Sequence, residues 1–310
     1  MIAQTFTFKA KDKTEIFVYK WMPEKGIKGI VQIAHGIGEH GGRYENFARD
    51  LSNSGYMVYA NDHREHGKTA KTASQHNLQK RRIWNLMVED LRQLTEIIRN
   101  ENPNVPVFFF GHSMGSFLLR QYLYKYPNSI DGAILAGTGI YEKLLVDAGI
   151  LIIKRLISKG ADKKKSYYII NKILFRGFNS KIDNPKTNFD WLSRDVKVVL
   201  DFINDPFCTI PRSVDFFLEF LYGIKEVHKK ENIEKIPKNT PIFIISGDKD
   251  PVGHWGSDIP TLARLYGKTG IKDVTYKLYK DARHELVNEL NRDEVINDII
   301  MWMNKRNPSA

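Results

Sequence analysis

A serine inside Gly111-His112-Ser113-Met114-Gly115, an aspartate pair at Asp248 and Asp250, and a histidine at His284 stand in an order that suits nucleophilic catalysis. Serine is a weak nucleophile at neutral pH. It attacks a carbonyl only when a base takes its proton and an acid orients that base. Ser113 lies between an apolar, β-forming run at 107–110 and a helical pattern at 117–126 that stops at Pro127. A strand, a very tight turn and a helix lift a nucleophile clear of a sheet, and the turn needs glycine where a Cβ would strike neighbouring backbone. Gly-x-Ser-x-Gly alone arises by chance in many chains; with these flanks it predicts a nucleophile elbow at Ser113.

Acid and base candidates also follow predicted strands. The run 242–246 ends in Gly247-Asp248-Lys249-Asp250-Pro251. Asp250 is the preferred acid, three residues past the closing glycine and stiffened by Pro251. Asp248 is the alternative, its other role being to bond loop N–H groups, and Asp281 is a more distant one. The run 274–278 leads to Asp281-Ala282-Arg283-His284-Glu285, which makes His284 the base candidate. After the run 29–34 comes His35-Gly36-Ile37-Gly38-Glu39-His40-Gly41-Gly42, whose small residues let backbone approach a reacting carbonyl. The N–H groups of Ile37 and Met114 are the expected oxyanion donors, with His35 and Gly36 bordering the substrate. His40 is expected at the pocket mouth and His112 against backbone. His228 and His254 fall in polar, exposed-looking stretches, and His63, His66 and His76 show no metal-ligand spacing.

These residues need a scaffold. Two alternating segments, 4–9 and 15–21, read as a hairpin, and apolar runs at 29–34, 57–60, 107–110, 133–136, 242–246 and 274–278 read as strands separated by helical patterns such as 44–53 and 84–99. Such alternation predicts an α/β fold, a mostly parallel sheet with helices on both faces. It breaks once, between Gly137 and Pro241, where only helical segments appear (144–157, 166–175, 195–204 and 213–222). The predicted organisation is a catalytic domain of residues 1–138 and 233–310 with a helical cap at 139–232.

The 310 residues are 42% hydrophobic and 27% charged, with a net charge of +11, which is ordinary globular composition apart from the basic excess. The stretch 141–180 holds nine Lys and Arg against three Asp and Glu. A solvated surface or contact with anionic lipid explains this; nucleic acid is not expected, since no binding motif accompanies the charge. The first residues lack a signal-peptide pattern, and Cys208, the single cysteine, excludes an internal disulfide and a cysteine-based metal site. A cytoplasmic protein is expected, open to peripheral contact at the inner membrane surface.

His35-Gly36-Ile37-Gly38-Glu39-His40 with Gly42-Arg43-Tyr44, then Asp62-His63-Arg64-Glu65-His66-Gly67, then Gly111-His112-Ser113-Met114-Gly115 resemble the monoacylglycerol lipase/lysophospholipase branch of the α/β-hydrolases, often grouped with the serine aminopeptidase S33 domain. Trp191-Leu192-Ser193-Arg194-Asp195, Asp205-Pro206-Phe207-Cys208 and the segment from Arg283 to Glu289 fit the same pattern. Arg64-Glu65 departs from it, because the family usually has a small residue or glycine before the His-Gly pair. The resemblance implies an α/β-hydrolase fold and a Ser113–His284–Asp250 triad acting through an acyl-enzyme, with no metal and no cofactor. The implied substrate is a small ester or a single-chain lipid.

Specificity falls to the cap. Leu144, Leu145, Ala148, Leu151, Ile152 and Leu156 form an apolar stripe at helical spacing. It either packs on the catalytic domain or lines an acyl tunnel, and Leu145, Leu151 and Ile152 are its candidate substrate contacts. An aminopeptidase would need carboxylates for a substrate ammonium, with Glu142, Asp147 and Asp162 as the candidates. A non-enzymatic binder on the same fold is the remaining alternative.

Overall fold

The computed structural model describes residues 1–72, 82–158, 163–208 and 210–307, with side chains for all of these except 71, 72 and 163–166. Eight strands form one sheet: β1 (Ile2–Lys9), β2 (Glu15–Met22), β3 (Gly29–Ala34), β4 (Tyr56–Asn61), β5 (Val107–His112), β6 (Gly132–Ala136), β7 (Ile242–Gly247) and β8 (Val274–Tyr279), in the spatial order β1-β2-β4-β3-β5-β6-β7-β8. The β1–β2 hairpin and the β2–β4 pair are antiparallel, and every other neighbour is parallel. The mostly parallel sheet is the one expected from the alternation of runs, and the arrangement is the α/β-hydrolase fold that the resemblance implies.

The strand leading to Ser113 shows why its sequence is apolar throughout. β5 is buried along its whole length, and alternate side chains point to opposite faces of the sheet. Phe109 joins one core with α3 (Ile83–Glu101), α4 (Met114–Lys125) and α10 (Asp258–Lys268). Phe108 and Phe110 join the other, with α1 (Glu45–Asn53) and α11 (Arg292–Asn304). The short α2 (Gly67–Thr72) follows β4.

Between β6 and β7 lies the helical insertion: α5 (Lys143–Ser158), α6 (Lys163–Leu174), α7 (Val196–Asn204), α8 (Val214–Val227) and α9 (Lys230–Ile233). It is fused to the sheet domain, because Phe216, Phe217 and Leu221 of α8 enter the same core as α3 and α4. Trp191, Leu192, Phe202 and Cys208 make a smaller core of their own.

The expected stripe on α5 faces the wrong way. Ile150 and Ile153 are buried, Val146 and Leu156 pack partly against the core, and Gly149 brings the helix close to Leu221. Leu144, Leu145, Leu151 and Ile152 point outward, Leu144 at 83% exposure. A helix that is apolar nearly all round offers two stripes at the same spacing, and the packing of α8 selects the other one. Lys80, Arg81, His76, Lys159 and Asp162, and the side chains of Lys163, Lys164 and Lys165, lie outside the described residues. No described helix is long and apolar enough to cross a membrane.

The α3–α8 contact is the tightest test of this packing. A Cβ on Gly223 would sit 2.1 Å from Cε2 of Trp84, which is buried and donates its ring N–H to Gln121. Alanine favours a helix by about 1 kcal/mol over glycine. Displacing a buried indole outweighs that gain, so Gly223→Ala should lower stability by about 1–3 kcal/mol, measured by urea unfolding. An unchanged or raised midpoint would contradict the packing.

Candidate active site

Ser113 sits at the turn between β5 and α4 with φ +52° and ψ −120°, a left-handed conformation costly for a residue with a side chain. The turn survives because its neighbours are glycines. A Cβ on Gly115 would lie 2.0 Å from the Ala34 carbonyl oxygen, and one on Gly111 would lie 2.6 Å from the Gly115 oxygen. α4 starts at Met114, three residues earlier than the hydropathy pattern indicates, so the Met114 N–H is at the helix N-terminus, where it has no intrahelical acceptor.

His284 and Asp250 meet after β8 and β7. His284 Nδ1 lies 3.0 Å from each carboxylate oxygen of Asp250, and both residues are almost fully buried. The carboxylate also accepts from Ser246 Oγ and from Val252 N, which fix its plane. With the Nδ1 proton donated to Asp250, Nε2 of His284 carries the lone pair. Asp248 makes no such contact; one of its oxygens is buried without a hydrogen-bond partner among the described residues. Ser113 and His284 line the same cavity.

A buried ionic knot, which the sequence reading missed, holds these loops. Glu39 accepts from Gly36 N (2.6 Å), His112 Nδ1 (2.8 Å), Tyr44 Oη (2.9 Å) and Arg43 Nη1 (3.0 Å). Arg43 also grips Glu285, next to the candidate base, through two bonds of 2.7 and 2.8 Å. His112 packs against backbone as expected, its second nitrogen 3.3 Å from the His284 carbonyl oxygen, but its first is bound to the Glu39 carboxylate, and both neighbours favour a protonated ring. Burial disfavours that charge, but the hydrogen bond and charge of Glu39 outweigh it and raise the His112 pKa. Burial likewise pushes Glu39 up, and His112 and Arg43 more than reverse it, leaving the carboxyl far below its ordinary range. The recoverable signal was spacing: Glu39 and Arg43 are four residues apart in a loop otherwise built of small residues.

The Gly36 N–H is therefore committed to Glu39, whereas the N–H groups of Ile37 and Met114 have no acceptor among the described residues. Gly36 and Ile37 border the cavity, but His35 does not. Its ring is consumed by backbone, Nε2 accepting from His63 N (2.9 Å) and Nδ1 donating to the Gly36 carbonyl (2.8 Å), so it is a neutral brace between two loops. Burial keeps its pKa well below the ordinary histidine value. His228 is also mostly enclosed, between the carbonyls of Ile224 and Gly139, and its pKa falls to about 3. The unusual Arg64-Glu65 pair has structural partners: Arg64 bridges Asp12 and Asp90, and Glu65 accepts from the N–H and hydroxyl of Ser213 ahead of α8.

The cavity has a volume of about 1070 Å³ and lies between the sheet loops and the insertion. Its insertion side is aromatic, with Tyr167, Phe175, Phe189, Trp191, Phe202 and Phe217. Leu145, Leu151 and Ile152 are not part of it, which corrects the expected acyl contacts; they sit on the outer face of α5 for the reason given above. The Trp191 ring packs 4.9 Å from the His284 ring, and the carbonyls of Trp191 and Leu192 accept from the N–H groups of His284 and Glu285.

Among the described residues, His40, Asp205 and Cys208 are the one group of three that could reach a metal. His40 Nδ1 accepts from Gly42 N, so the ring proton is on Nε2 and is donated to Asp205, 2.9 Å away. A metal would have to displace that proton; the hydrogen bond accounts for the group as it stands.

The knot makes stability depend on pH. Glu39 has a depressed pKa, so its contribution is present above the ordinary carboxylate value of 4.5 and is lost as pH falls. His112 has a raised pKa, so its contribution is full below the ordinary value of 6.5 and fades as pH rises through the folded value. Glu39→Gln should therefore cost most stability between 4.5 and 6.5 and less on either side. Thermal unfolding of both proteins across pH checks this; a pH-independent difference would contradict it.

The chain matches the family model described as serine aminopeptidase, S33, over residues 25–291. It is 27% identical to a monoacylglycerol lipase of Mycolicibacterium smegmatis, covering 91% of this chain and 90% of that one. It is 26% identical to human monoglyceride lipase, covering 96% and 90%. Among solved structures, a thermostable carboxyl esterase from Bacillus coagulans is 31% identical, superposes with a TM-score of 0.87, and is covered over 99% of its length by 98% of this chain. A fold of this topology, an elbow at Ser113 and a match spanning most of the sequence lead to one family: the chain is a monoacylglycerol lipase-like α/β-hydrolase and belongs to the serine aminopeptidase S33 family.

Proposed function

We propose that this protein is a serine hydrolase of carboxylic esters, with Ser113 as nucleophile, His284 as base and Asp250 as the acid that orients it. The observation that carries this reading is the bond from His284 Nδ1 to Asp250, which leaves Nε2 as the basic nitrogen on a cavity shared with Ser113. Ser113 Oγ attacks the ester carbonyl as Nε2 takes its proton, and the N–H groups of Ile37 and Met114 stabilise the oxyanion. Nε2 then protonates the leaving alcohol. Water, deprotonated by the same nitrogen, attacks the acyl-enzyme, and the proton returns to Ser113 as the acid departs.

The substrate in this reading is an ester with a single acyl chain, such as a monoacylglycerol or a lysophospholipid. The relatives named as monoglyceride lipases and the aromatic wall support it, and the cavity volume is at the upper end for small-molecule sites, room for one chain. Aminopeptidase action is disfavoured by charge. Among the described residues, the two carboxylates on the cavity wall, Glu39 and Glu285, are both bound to Arg43, while Glu142 and Asp147 lie off the cavity and pair with His254 and Lys225.

The outward face of α5, with Leu144, Leu145 and Leu151 beside the basic Lys154 and Arg155, further suits resting on an anionic lipid surface. Replacing these three leucines by serine should reduce sedimentation with phosphatidylglycerol vesicles while leaving turnover of a short soluble ester near wild type. Absence of vesicle binding by the unmodified protein at low salt would refute that contact.

With p-nitrophenyl butyrate as substrate, Ser113→Ala and His284→Ala should each leave less than about one hundredth of wild-type turnover. Asp250→Asn should lower kcat by about 10⁴, because it favours the wrong imidazole tautomer, and Asp248→Asn should cost only a few-fold. The reverse ranking of the two aspartates would move the acid to Asp248.

A further inference from the structure

Arg212 is a buried cation on the cavity wall with no carboxylate in ion-pair contact among the described residues. It lies just ahead of α8 and is 3% exposed. Its Nε–H donates to His66 Nε2 at 2.9 Å and its Nη1–H to the Ile210 carbonyl at 2.6 Å. Its Nη2 is buried and has no hydrogen-bond acceptor among the described residues; the Tyr167 hydroxyl interacts with the guanidinium from the same wall. His66 cannot neutralise it: that ring accepts from Arg212 through Nε2 and donates Nδ1–H to the Arg64 carbonyl, so it is neutral. Glu65 lies nearby and its charge favours the guanidinium, but its oxygens bond to Ser213 and make no ion pair with Arg212. Burial disfavours the charged guanidinium, yet arginine keeps its proton in proteins.

The rest of the wall has the same sign. Lys172 and Arg176 also border the cavity and have no ion pair among the described residues, whereas Glu39 and Glu285 are both spent on Arg43. Among the described residues, the cavity wall thus presents three cations without an ion pair, and both of its carboxylates are bound to Arg43. A buried, unpaired donor is costly, and an anionic oxygen placed against it gains a charge-assisted hydrogen bond. His66 and Ile210 hold two corners of the guanidinium fork, which fixes its plane where the residue borders the cavity.

We propose that Arg212, assisted by Lys172 and Arg176, forms an anion-binding subsite that selects single-chain esters carrying a phosphate or carboxylate in addition to the ester that is cleaved. This rests on the ester-hydrolase reading above. It adds that a neutral monoacylglycerol is the poorer substrate, because it leaves the cations of the wall without an anionic partner.

The test compares kcat/KM for three esters of matched chain length: a monoacylglycerol, a lysophosphatidic acid, and a glycerol monoester whose acyl chain ends in a carboxylate. The wild type should favour one or both anionic esters over the neutral one by at least about tenfold, the difference between the two showing which anion the subsite takes. Arg212→Gln, and separately Lys172→Gln with Arg176→Gln, should lower that preference while the neutral ester is turned over as before. The second variant alters exposed residues only, so it decides the matter if Arg212→Gln does not fold. Binding of the non-cleaved lysophosphatidic acid to Ser113→Ala, by calorimetry with and without the Lys172 and Arg176 changes, reads the subsite without turnover. Equal rates on all three esters, or equal losses on all three in the variants, would overturn the subsite. Charge-dependent binding without hydrolysis of any ester would keep the subsite and overturn the hydrolase reading instead.

Discussion

The carboxylate of Glu39 is the point on which the site depends. It accepts from the loop after β3 through Gly36 N, from the nucleophile loop through His112 and, with Arg43, reaches Glu285 beside His284. Three loops that follow three different strands are thereby clamped to one buried group. Breaking a buried pair by removing one partner costs about 3–5 kcal/mol, so such a clamp tolerates little variation. Arg43 sits between its two carboxylates, which lets charge lie beneath the cavity without presenting a free acid to it.

The sheet supplies the second constraint, close approach of backbones. β3 and β5 are adjacent parallel strands, and the elbow after β5 passes so near the end of β3 that Gly115 has no room for a side chain against Ala34. β7 and β8 repeat the device: a Cβ on Gly247 would lie 1.9 Å from the Ala282 oxygen, which brings the Asp250 loop against the His284 loop. The insertion completes the enclosure by backbone as well as side chain, since Trp191 and Leu192 accept from His284 and Glu285. Altering the insertion near Trp191 therefore acts on the base itself and not only on the cavity roof.

The strands and the elbow were legible because each is a local pattern: β5 is an apolar run buried on both faces, and the glycines flanking Ser113 answer a local steric need. The preference for Asp250 over Asp248 as the partner of His284 came from its offset behind the strand, and the geometry places it there. The face of α5 was not legible, because its apolar residues fit two helical stripes and only the position of α8 chooses between them. His35 looked like a substrate contact by proximity to the loop glycines, but its ring orientation is set by His63, 28 positions away. Glu39, Arg43 and Arg212 were passed over for the same reason. A charged residue reads as solvated surface until the long-range partners that bury it are known.

The most direct test of the central claim is covalent. A fluorophosphonate should label the purified protein at one site, and peptide mass spectrometry should place the adduct on Ser113. Ser113→Ala should take up no label, and Asp250→Asn should take it up far more slowly than Asp248→Asn. An adduct on another serine, or full labelling of Ser113→Ala, would contradict the account.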